Sequence, residues 1–178
     1  LLRLYTAASS LKMQFFYCQN LFLGGIFMSA LSCGSSRIVG FRFSLYPMSE
    51  QFVEVITSVL AETDTAKVWL QTDDISTCIR GRMEHVFDVA KAIYLHAAKT
   101  GLHVVLNGTF SIGCPGDSEG DTYMSEDSER NNEAKVAELT IDAPTQFALY
   151  PMNEEKYMSY IADVVEIAQE KGDRKSVV

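Results

Sequence analysis

The chain is poor in the residue types that mark disulfide-rich, zinc-binding or nucleic-acid-binding proteins. Its four cysteines are too few for a disulfide scaffold and lack the close spacing of zinc or Cys-x-x-Cys sites. They are Cys18, Cys33, Cys78 and Cys114. Lys and Arg number 15 against 23 Asp and Glu, and the net charge of −8 disfavours a nucleic-acid binder. Reduced thiols and a cytoplasmic location are therefore expected.

Catalytic and cofactor motifs are also lacking. His85, His96 and His103 are widely spaced and form neither a His-x-x-x-His nor a His-Glu-x-x-His pattern. The Gly-Ser-Ser at 34–36 is not part of a phosphate-binding loop, and no nucleophile–base pair stands out. These absences predict a protein that is not an enzyme and that carries no metal and no cofactor.

The acidic charge is concentrated in one segment. Residues 117–142 hold nine acidic and two basic residues, a local charge of −7, whereas 47% of the whole chain is hydrophobic. The segment is predicted to be a solvated acidic linker with a short helix around 132–139. A calcium loop is the alternative, but the spacing of its acids does not match the Asp-x-Asp-x-Asp-Gly pattern.

Residues 1–33 differ in character from the rest. The apolar run over 21–31 is shorter than the roughly 20 residues that a membrane helix needs. It resembles a signal peptide faintly, which would make the protein exported. The favoured interpretation is that Met28 is the true start and that residues 1–27 are translated upstream sequence. Residues 1–33 together are predicted to be an extension that is non-native or disordered.

Hydrophobic periodicity predicts a βαββαβ order for the first domain, residues 34–116. Val39, Phe41, Phe43 and Leu45 alternate with polar residues, which indicates a half-buried strand. The predicted elements are a strand over 37–46, a helix from Ser49 to 63–64, strands over 67–72 and 75–80, a helix over 85–99 and a strand over 102–112. This order predicts an α+β, ferredoxin-like sandwich: an antiparallel four-stranded sheet with two helices on one face.

An internal repeat predicts a second, incomplete domain. Phe-Ser-Leu-Tyr-Pro-Met-Ser-Glu at 43–50 returns as Phe-Ala-Leu-Tyr-Pro-Met-Asn-Glu at 147–154, with a helix pattern after each copy. The second copy, residues 143–178, offers only one strand and one helix. The sequence therefore predicts a tandem repeat whose second copy is truncated to a βα half.

Several motifs resemble the YkoF family. They are the stretches at 36–48, 92–98, 107–117, 120–123 and 146–154, which include Gly-Phe-Arg-Phe-Ser-Leu-Tyr-Pro-Met and Asn-Gly-Thr-Phe-Ser-Ile-Gly-Cys-Pro-Gly-Asp. The resemblance covers about residues 33–172. It implies tandem ferredoxin-like (ACT-like) domains, a homodimer, and binding of thiamine or its hydroxymethylpyrimidine precursor for uptake or salvage linked to a membrane transporter.

An aminopyrimidine ring needs an apolar slot with a few polar groups, and such groups are sought on the inward face of the sheet. Ile75, Thr77 and Ile79 are predicted to share that face, so Thr77 is either a buried, backbone-bonded threonine or a ligand to the ring. Leu45, beside Pro47, is either core or a source of free backbone groups. Leu45 and Thr77 are the leading pair of predicted binding residues.

Three further residues are predicted to line the ligand site. Phe43 and Phe110 either stack on the ring or fill the core. Gly108 either leaves space for the ligand or is structural. Two other functions remain open, namely a regulatory or oligomerisation module and, with less support, an enzyme of thiamine salvage.

Overall fold

The computed structural model describes residues 2–7, 38–112, 125, 127–139, 141–151, 155–171 and 174–177. In chain order its elements are β1 (Leu2–Ala7), β2 (Ile38–Pro47), α1 (Phe52–Glu62), β3 (Trp69–Thr72), β4 (Thr77–Arg82), α2 (Met83–Lys99), β5 (Val104–Ile112), β6 (Asp142–Phe147), α3 (Tyr157–Lys171) and β7 (Arg174–Val177). The chain divides into two compact units, residues 23–138 and residues 1–22 with 139–178.

The larger unit contains a four-stranded antiparallel sheet in the order β3-β4-β2-β5. Its elements follow one another as β2-α1-β3-β4-α2-β5, so the predicted βαββαβ order and α+β class are confirmed. The strand bounds differ from the prediction by one or two residues at several ends. The start of β4 moves from Ile75 to Thr77, which leaves Ile75 outside the strand.

The alternation along β2 divides the sheet into an inner and an outer face. Phe41, Phe43 and Leu45 on the inner face are buried, whereas Arg42 and Tyr46 on the outer face are exposed. Both helices cover the inner face, because their apolar residues join the inner-face residues in one core. That core consists of Val39, Phe41, Phe43, Leu45, Val59, Val68, Ile79, Val86, Val89, Ala90, Ile93 and Ala97.

Helix boundaries follow local chemistry with one correction. The helix α1 was predicted to begin at Ser49, but its cap position is Gln51 and no side chain bonds the helix there. The Ser49 hydroxyl instead accepts a hydrogen bond from the Gln51 N–H at 3.1 Å, in the turn that precedes the helix. Gly101 follows α2 with a φ of 75°, the left-handed conformation that favours glycine after a helix.

The acidic segment is not solvated throughout, which corrects the prediction for residues 131–136. Asn132 and Val136 are 0% and 2% exposed. The Asn132 side chain accepts from the Asp64 N–H at 2.7 Å and donates to the Asp64 carbonyl and the Asp88 carboxylate, both at 2.9 Å. Residues 131–138 form successive turns rather than the predicted helix. The segment therefore packs on the sheet-and-helix unit through a buried polar network.

Two basic side chains, Lys67 and His85, contact the N-terminal part of the same segment. Lys67 Nζ lies 2.7 Å from Asp127 Oδ1 and donates to the Glu129 carbonyl at 3.0 Å. The buried His85 ring lies 2.9 Å from the Asp127 carbonyl oxygen through Nε2. Hydrogen bonds from Lys67 and Ser125 hold the pKa of Asp127 well below its usual range. Part of the acidic charge that was predicted to keep a linker solvated therefore forms contacts with the larger unit.

The smaller unit contains a three-stranded antiparallel sheet in the order β6-β1-β7. Its helix α3 follows the second copy of the repeat, as the pattern predicted. The apolar residues of that helix stay partly exposed, and Tyr157 and Met158 are 48% and 63% exposed. Leu2–Ala7 form the central strand of this sheet, and the assignment of residues 1–33 as an extension stays a prediction.

Candidate functional site

The predicted binding residues Leu45 and Thr77 lie near one corner of the inner face. Across the sheet, Thr72, Thr77, Phe43 and Gly108 form one row of paired residues. Leu45 lies one row further out and pairs only with Leu106 of β5, because the β2–β4 register ends at Phe43 and Thr77. The structure therefore brings the leading pair together at the place where β2 outruns β4.

The backbone of Leu45 points toward the side that β4 leaves open. The Met48 N–H donates to the His103 carbonyl at 2.9 Å, in register with the β2–β5 pairs. Hydrogen-bonded pairs alternate along an antiparallel ladder, so Tyr46 and Ser44 bond to β5, and Leu45 directs its N–H and C=O away from β5. Within the part of the chain that the structure describes, no backbone group bonds the Leu45 N–H or C=O on that open side.

Pro47 fits the same geometry. It continues the alternation of Leu45, so its nitrogen also faces the side that β4 does not reach. A proline there removes no ladder hydrogen bond, which explains why β2 tolerates it as its last residue. The strand thus ends at Pro47, one residue beyond the predicted strand over 37–46.

The β3–β4 hairpin loop is fixed beside this corner by polar contacts on the outer face. Asp73 Oδ1 accepts from the N–H groups of Ile75 and Ser76 at 2.9 and 2.8 Å. Arg42 donates to Asp73 Oδ2 at 2.7 Å, and the Ser44 hydroxyl donates to the Ile75 carbonyl at 3.1 Å. The hydrogen bond from Arg42 and those two N–H groups hold the pKa of Asp73 well below its usual range.

Ile75 corrects one prediction. It was expected on the inner face with Thr77 and Ile79, but it lies in the hairpin loop and is 85% exposed. The loop is formed because Asp73 and Asp74 start a turn that the Asp73 carboxylate closes. An exposed isoleucine therefore stands at the loop next to the open side of Leu45.

The Thr77 hydroxyl lies on the inner face with a hydroxyl neighbour. Thr77 is 7% exposed, and its Oγ1 is 3.1 Å from Thr72 Oγ1. Because either hydroxyl can be the donor, one hydrogen of the pair is free to turn to another acceptor. The polar partner of Thr77 is therefore the Thr72 hydroxyl, and not backbone alone as the simpler interpretation predicted.

A shallow apolar groove of about 330 Å³ adjoins Leu45. Its size is within the range of small-molecule sites. The lining residues are Leu45, Tyr46, Pro47, Met48, Phe52 and Val105. Several of them are unusually exposed for apolar residues, including Met48 at 59% and Phe52 at 51%. Of this set, only Leu45 was predicted as a binding residue, because in sequence Phe52 is indistinguishable from an ordinary member of the apolar stripe of a helix.

The other three predicted residues have structural roles in this arrangement. Phe43 is 3% exposed, and its ring lies 5.1 Å from that of Phe41. Phe110 stacks on Phe41 at 3.9 Å and on Phe87 at 4.5 Å. The space beside Gly108 is filled by the Phe41 ring, since an added Cβ would lie 2.8 Å from Phe41 Cζ. Their binding roles stay predictions.

A larger hollow of about 610 Å³ lies away from this corner, between α2 and residues 128–137. Its charged side chains already have partners: Arg130 lies 3.7 Å from Glu133, and Glu84 lies 3.5 Å from Arg82. A flat, uncharged ring has no apolar slot there, so the smaller groove is the better candidate.

Metal and membrane features were sought over the same residues. Within the described parts of the chain, no group of three His, Cys, Asp or Glu side chains could hold a metal ion. No helix in those parts is both long and apolar enough to cross a membrane.

A family model described as "YKOF-related Family" matches residues 38–117 and 142–177. The chain belongs to this family. The two matched stretches flank the acidic segment, in the places where the repeat occurs. The resemblance stated from the motifs is therefore confirmed.

The chain is also similar to one curated relative and to one solved structure. The chain is 61% identical over 140 residues to "Putative HMP/thiamine-binding protein YkoF" of Bacillus subtilis (strain 168), covering 79% of this chain and 70% of that protein. It is also similar to "Structure of domain of unknown function DUF77 from Bacillus cereus", with a TM-score of 0.38 and 17% identity, over 49% of this chain and 88% of that one.

Proposed function

We propose that this protein of the YKOF-related family binds thiamine or hydroxymethylpyrimidine without catalysis, at the corner formed by Leu45 and Thr77. The name of the Bacillus subtilis relative supports the ligand class. The observation that carries the site is the backbone of Leu45, whose N–H and C=O point past the end of β4 beside an apolar groove.

The chemistry of the ring matches these groups. An aminopyrimidine has an amino donor next to a ring-nitrogen acceptor on one edge. The Leu45 carbonyl accepts from the amino group, and the Leu45 N–H donates to the ring nitrogen, as in an added strand. The Thr77 hydroxyl, which shares hydrogens with Thr72, supplies a third polar contact from the neighbouring strand.

The apolar residues then hold the ring flat. Phe52 and Pro47 contact one face of the ring in the groove, and the exposed Ile75 side chain closes over its edge. Phe43 forms the floor of the same row, while Gly108 and Phe110 support Phe41 behind it. This assignment keeps all five predicted residues but gives direct contact only to Leu45, Thr77 and Phe43.

Thr77→Val tests the site. It removes the hydroxyl at nearly constant shape, so affinity for hydroxymethylpyrimidine should fall by about 1–2 kcal/mol, roughly tenfold. Thr57→Val is the matched control, because its hydroxyl bonds only the Val53 and Glu54 carbonyls of α1. Isothermal titration calorimetry of both variants decides the point, and equal affinities would remove Thr77 from the site.

The finer features that the family resemblance implies belong to the same proposal. The larger unit is a ferredoxin-like domain followed by a second copy of the repeat, and the protein is a cytoplasmic homodimer. It serves thiamine-precursor uptake or salvage linked to a transporter. A regulatory or oligomerisation module is the alternative function. It would be favoured if thiamine did not change the self-association constant of the chain and if titration with thiamine gave no heat.

A further inference from the structure

The register between β2 and β4 leads to a residue pair that the structure does not form. The β2–β4 ladder ends with the pair of Phe43 and Thr77. Two residues further along β2, the same register would place Leu45 opposite Ile75 as the next hydrogen-bonded pair. In that pair the Leu45 N–H would donate to the Ile75 carbonyl, and the Ile75 N–H would donate to the Leu45 carbonyl. Within the described residues neither bond is formed.

Both backbone groups of Ile75 are bonded to side chains instead. The Ile75 N–H donates to Asp73 Oδ1 at 2.9 Å, and the Ile75 carbonyl accepts from the Ser44 hydroxyl at 3.1 Å. Ser44 comes directly before Leu45 in β2, so its hydroxyl takes the carbonyl that the register assigns to the Leu45 N–H. Leu45 therefore keeps an open backbone edge because Asp73 and Ser44 occupy the groups that would pair with it.

Arg42 fixes the loop in this arrangement from the outer face. Its Nη1 donates to Asp73 Oδ2 at 2.7 Å and to the Ser76 hydroxyl at 2.5 Å. The Asp73 N–H also donates to the Ser76 carbonyl at 2.9 Å, which closes the loop on itself. The Arg42–Asp73 ion pair is exposed, with side chains 58% and 45% accessible, so it contributes little to global stability. Its effect is local, on the position of residues 73–76.

The pair that is missing would be favourable on its own. Ile75 is 85% exposed in the loop. Opposite Leu45, its side chain would lie on the inner face in line with Thr77, because side chains alternate along a strand. That position is beside the apolar groove that contains Phe52. Burial of the isoleucine and two added ladder bonds would favour this closed arrangement, and the bonds from Asp73 and Ser44 oppose it.

We propose that Ser44 and Asp73 are positioning residues that keep the ligand site open by withholding Ile75 from Leu45. The Leu45 N–H and C=O then stay available to the edge of an aminopyrimidine, which would otherwise have to displace a strand pair. This role rests on the proposed function for its ligand, whereas the diversion of Ile75 is a property of the free protein. Neither side chain contacts the ring, since Ser44 lies on the outer face and Asp73 bonds within the loop and to Arg42.

Hydrogen exchange of the ligand-free chain tests the diversion directly. In the wild-type chain the Leu45 amide should exchange faster than those of Ser44 and Tyr46, which bond to β5. The double variant Ser44→Ala with Asp73→Ala releases both backbone groups of Ile75. Its Leu45 amide should exchange at least about tenfold more slowly than in the wild type.

Two further variants accompany the double variant. Ser44→Ala alone releases only the Ile75 carbonyl and leaves the turn closed by Asp73, so it should slow the Leu45 amide to a smaller extent even if the double variant does not fold. Ser58→Ala with Asp74→Ala is the matched control. The Ser58 hydroxyl bonds Glu62 of its own helix, and Asp74 is exposed in the same loop as Asp73.

Calorimetric titration with hydroxymethylpyrimidine measures the consequence for binding. A closed pair populated to about 90% in the double variant would lower the apparent affinity about tenfold. The conservative variant Ser44→Thr with Asp73→Asn keeps a hydroxyl and a turn-closing oxygen. It should restore both the affinity and the fast exchange of the Leu45 amide, which a merely structural role of the two side chains would not couple.

The two readouts separate this proposal from the proposed function. A wild-type chain that gives no heat would contradict the proposed function, and slower Leu45 exchange in the variants would still support the diversion of Ile75. A Leu45 amide that is already protected in the ligand-free wild type would overturn the proposal. So would Leu45 exchange in Ser44→Ala and the double variant that equals the exchange in the Ser58→Ala and Asp74→Ala control.

Discussion

Gly108→Ala should destabilise the protein although the residue lies in an exposed edge strand. An ideal Cβ at 108 would lie 2.8 Å from both Phe41 Cζ and the Arg42 carbonyl oxygen, closer than real Cβ contacts allow. The carbonyl is backbone within β2 and cannot move alone. Phe41 is 3% exposed and its ring is stacked with those of Phe43 and Phe110, so it has no free space either.

The expected magnitude follows from two opposing effects. Overpacking of this kind costs about 1–3 kcal/mol, because neighbours leave their preferred rotamers. Replacing glycine by alanine in a strand gains about 0.5–1 kcal/mol through the lower entropy of the unfolded chain. The steric cost is the larger, so the free energy of unfolding should fall by about 1–2 kcal/mol.

Gly40→Ala is the matched control, since Gly40 also lies in the sheet but an added Cβ meets nothing within 4 Å. It should be neutral or slightly stabilising. Urea unfolding followed by circular dichroism measures both variants, with the slope m checked for constancy. If Gly108→Ala proved as stable as Gly40→Ala, the close packing of Phe41 over Gly108 would be refuted.

Two other perturbations have equally definite outcomes. Asn132→Ala removes the side-chain bonds to the Asp64 N–H and C=O and one of the two bonds to Asp88, whose other donor is the backbone N–H of residue 132; the free energy of unfolding should fall by about 1–3 kcal/mol. Asn131→Ala loses one 3.3 Å bond and should change little, so equal urea midpoints for the two variants would contradict this. The lowered pKa of Asp73 means that its carboxylate contributes stability above about pH 4 and loses it as the pH falls toward the folded-state pKa, so Asp73→Asn should flatten the fall of stability between about pH 4 and pH 2; parallel curves would exclude that contribution.

Local periodicity was sufficient to predict the core of the first unit. The alternation from Val39 to Leu45 predicted a strand with one buried face, and the apolar periodicity over 85–99 predicted a helix with one buried face. The structure confirms the strand as β2 and the helix as α2. Boundaries were less certain because turn chemistry decides them. Ile75 alternates correctly with Thr77, but the Asp73 carboxylate captures two backbone amides first and keeps it in the loop.

Contacts between distant residues could not be predicted in the same way. The acidic composition of residues 117–142 is typical of a solvated segment, and nothing local shows that Asn132 fits between Asp64 and Asp88. The groove beside Leu45 likewise depends on where α1 begins relative to the end of β2. Leu45 and Thr77 were predicted because the family resemblance supplied a ligand class, and the alternation pattern of a single strand contains no information about a ligand.

The most direct test of ligand binding at the Leu45 corner is a calorimetric titration of the wild-type chain with thiamine and, separately, with hydroxymethylpyrimidine. Saturable heat is expected for both ligands, because the unit at residues 23–138 supplies both β2 and the β3–β4 hairpin. The absence of binding heat and of any thermal stabilisation at millimolar ligand would contradict the proposed function.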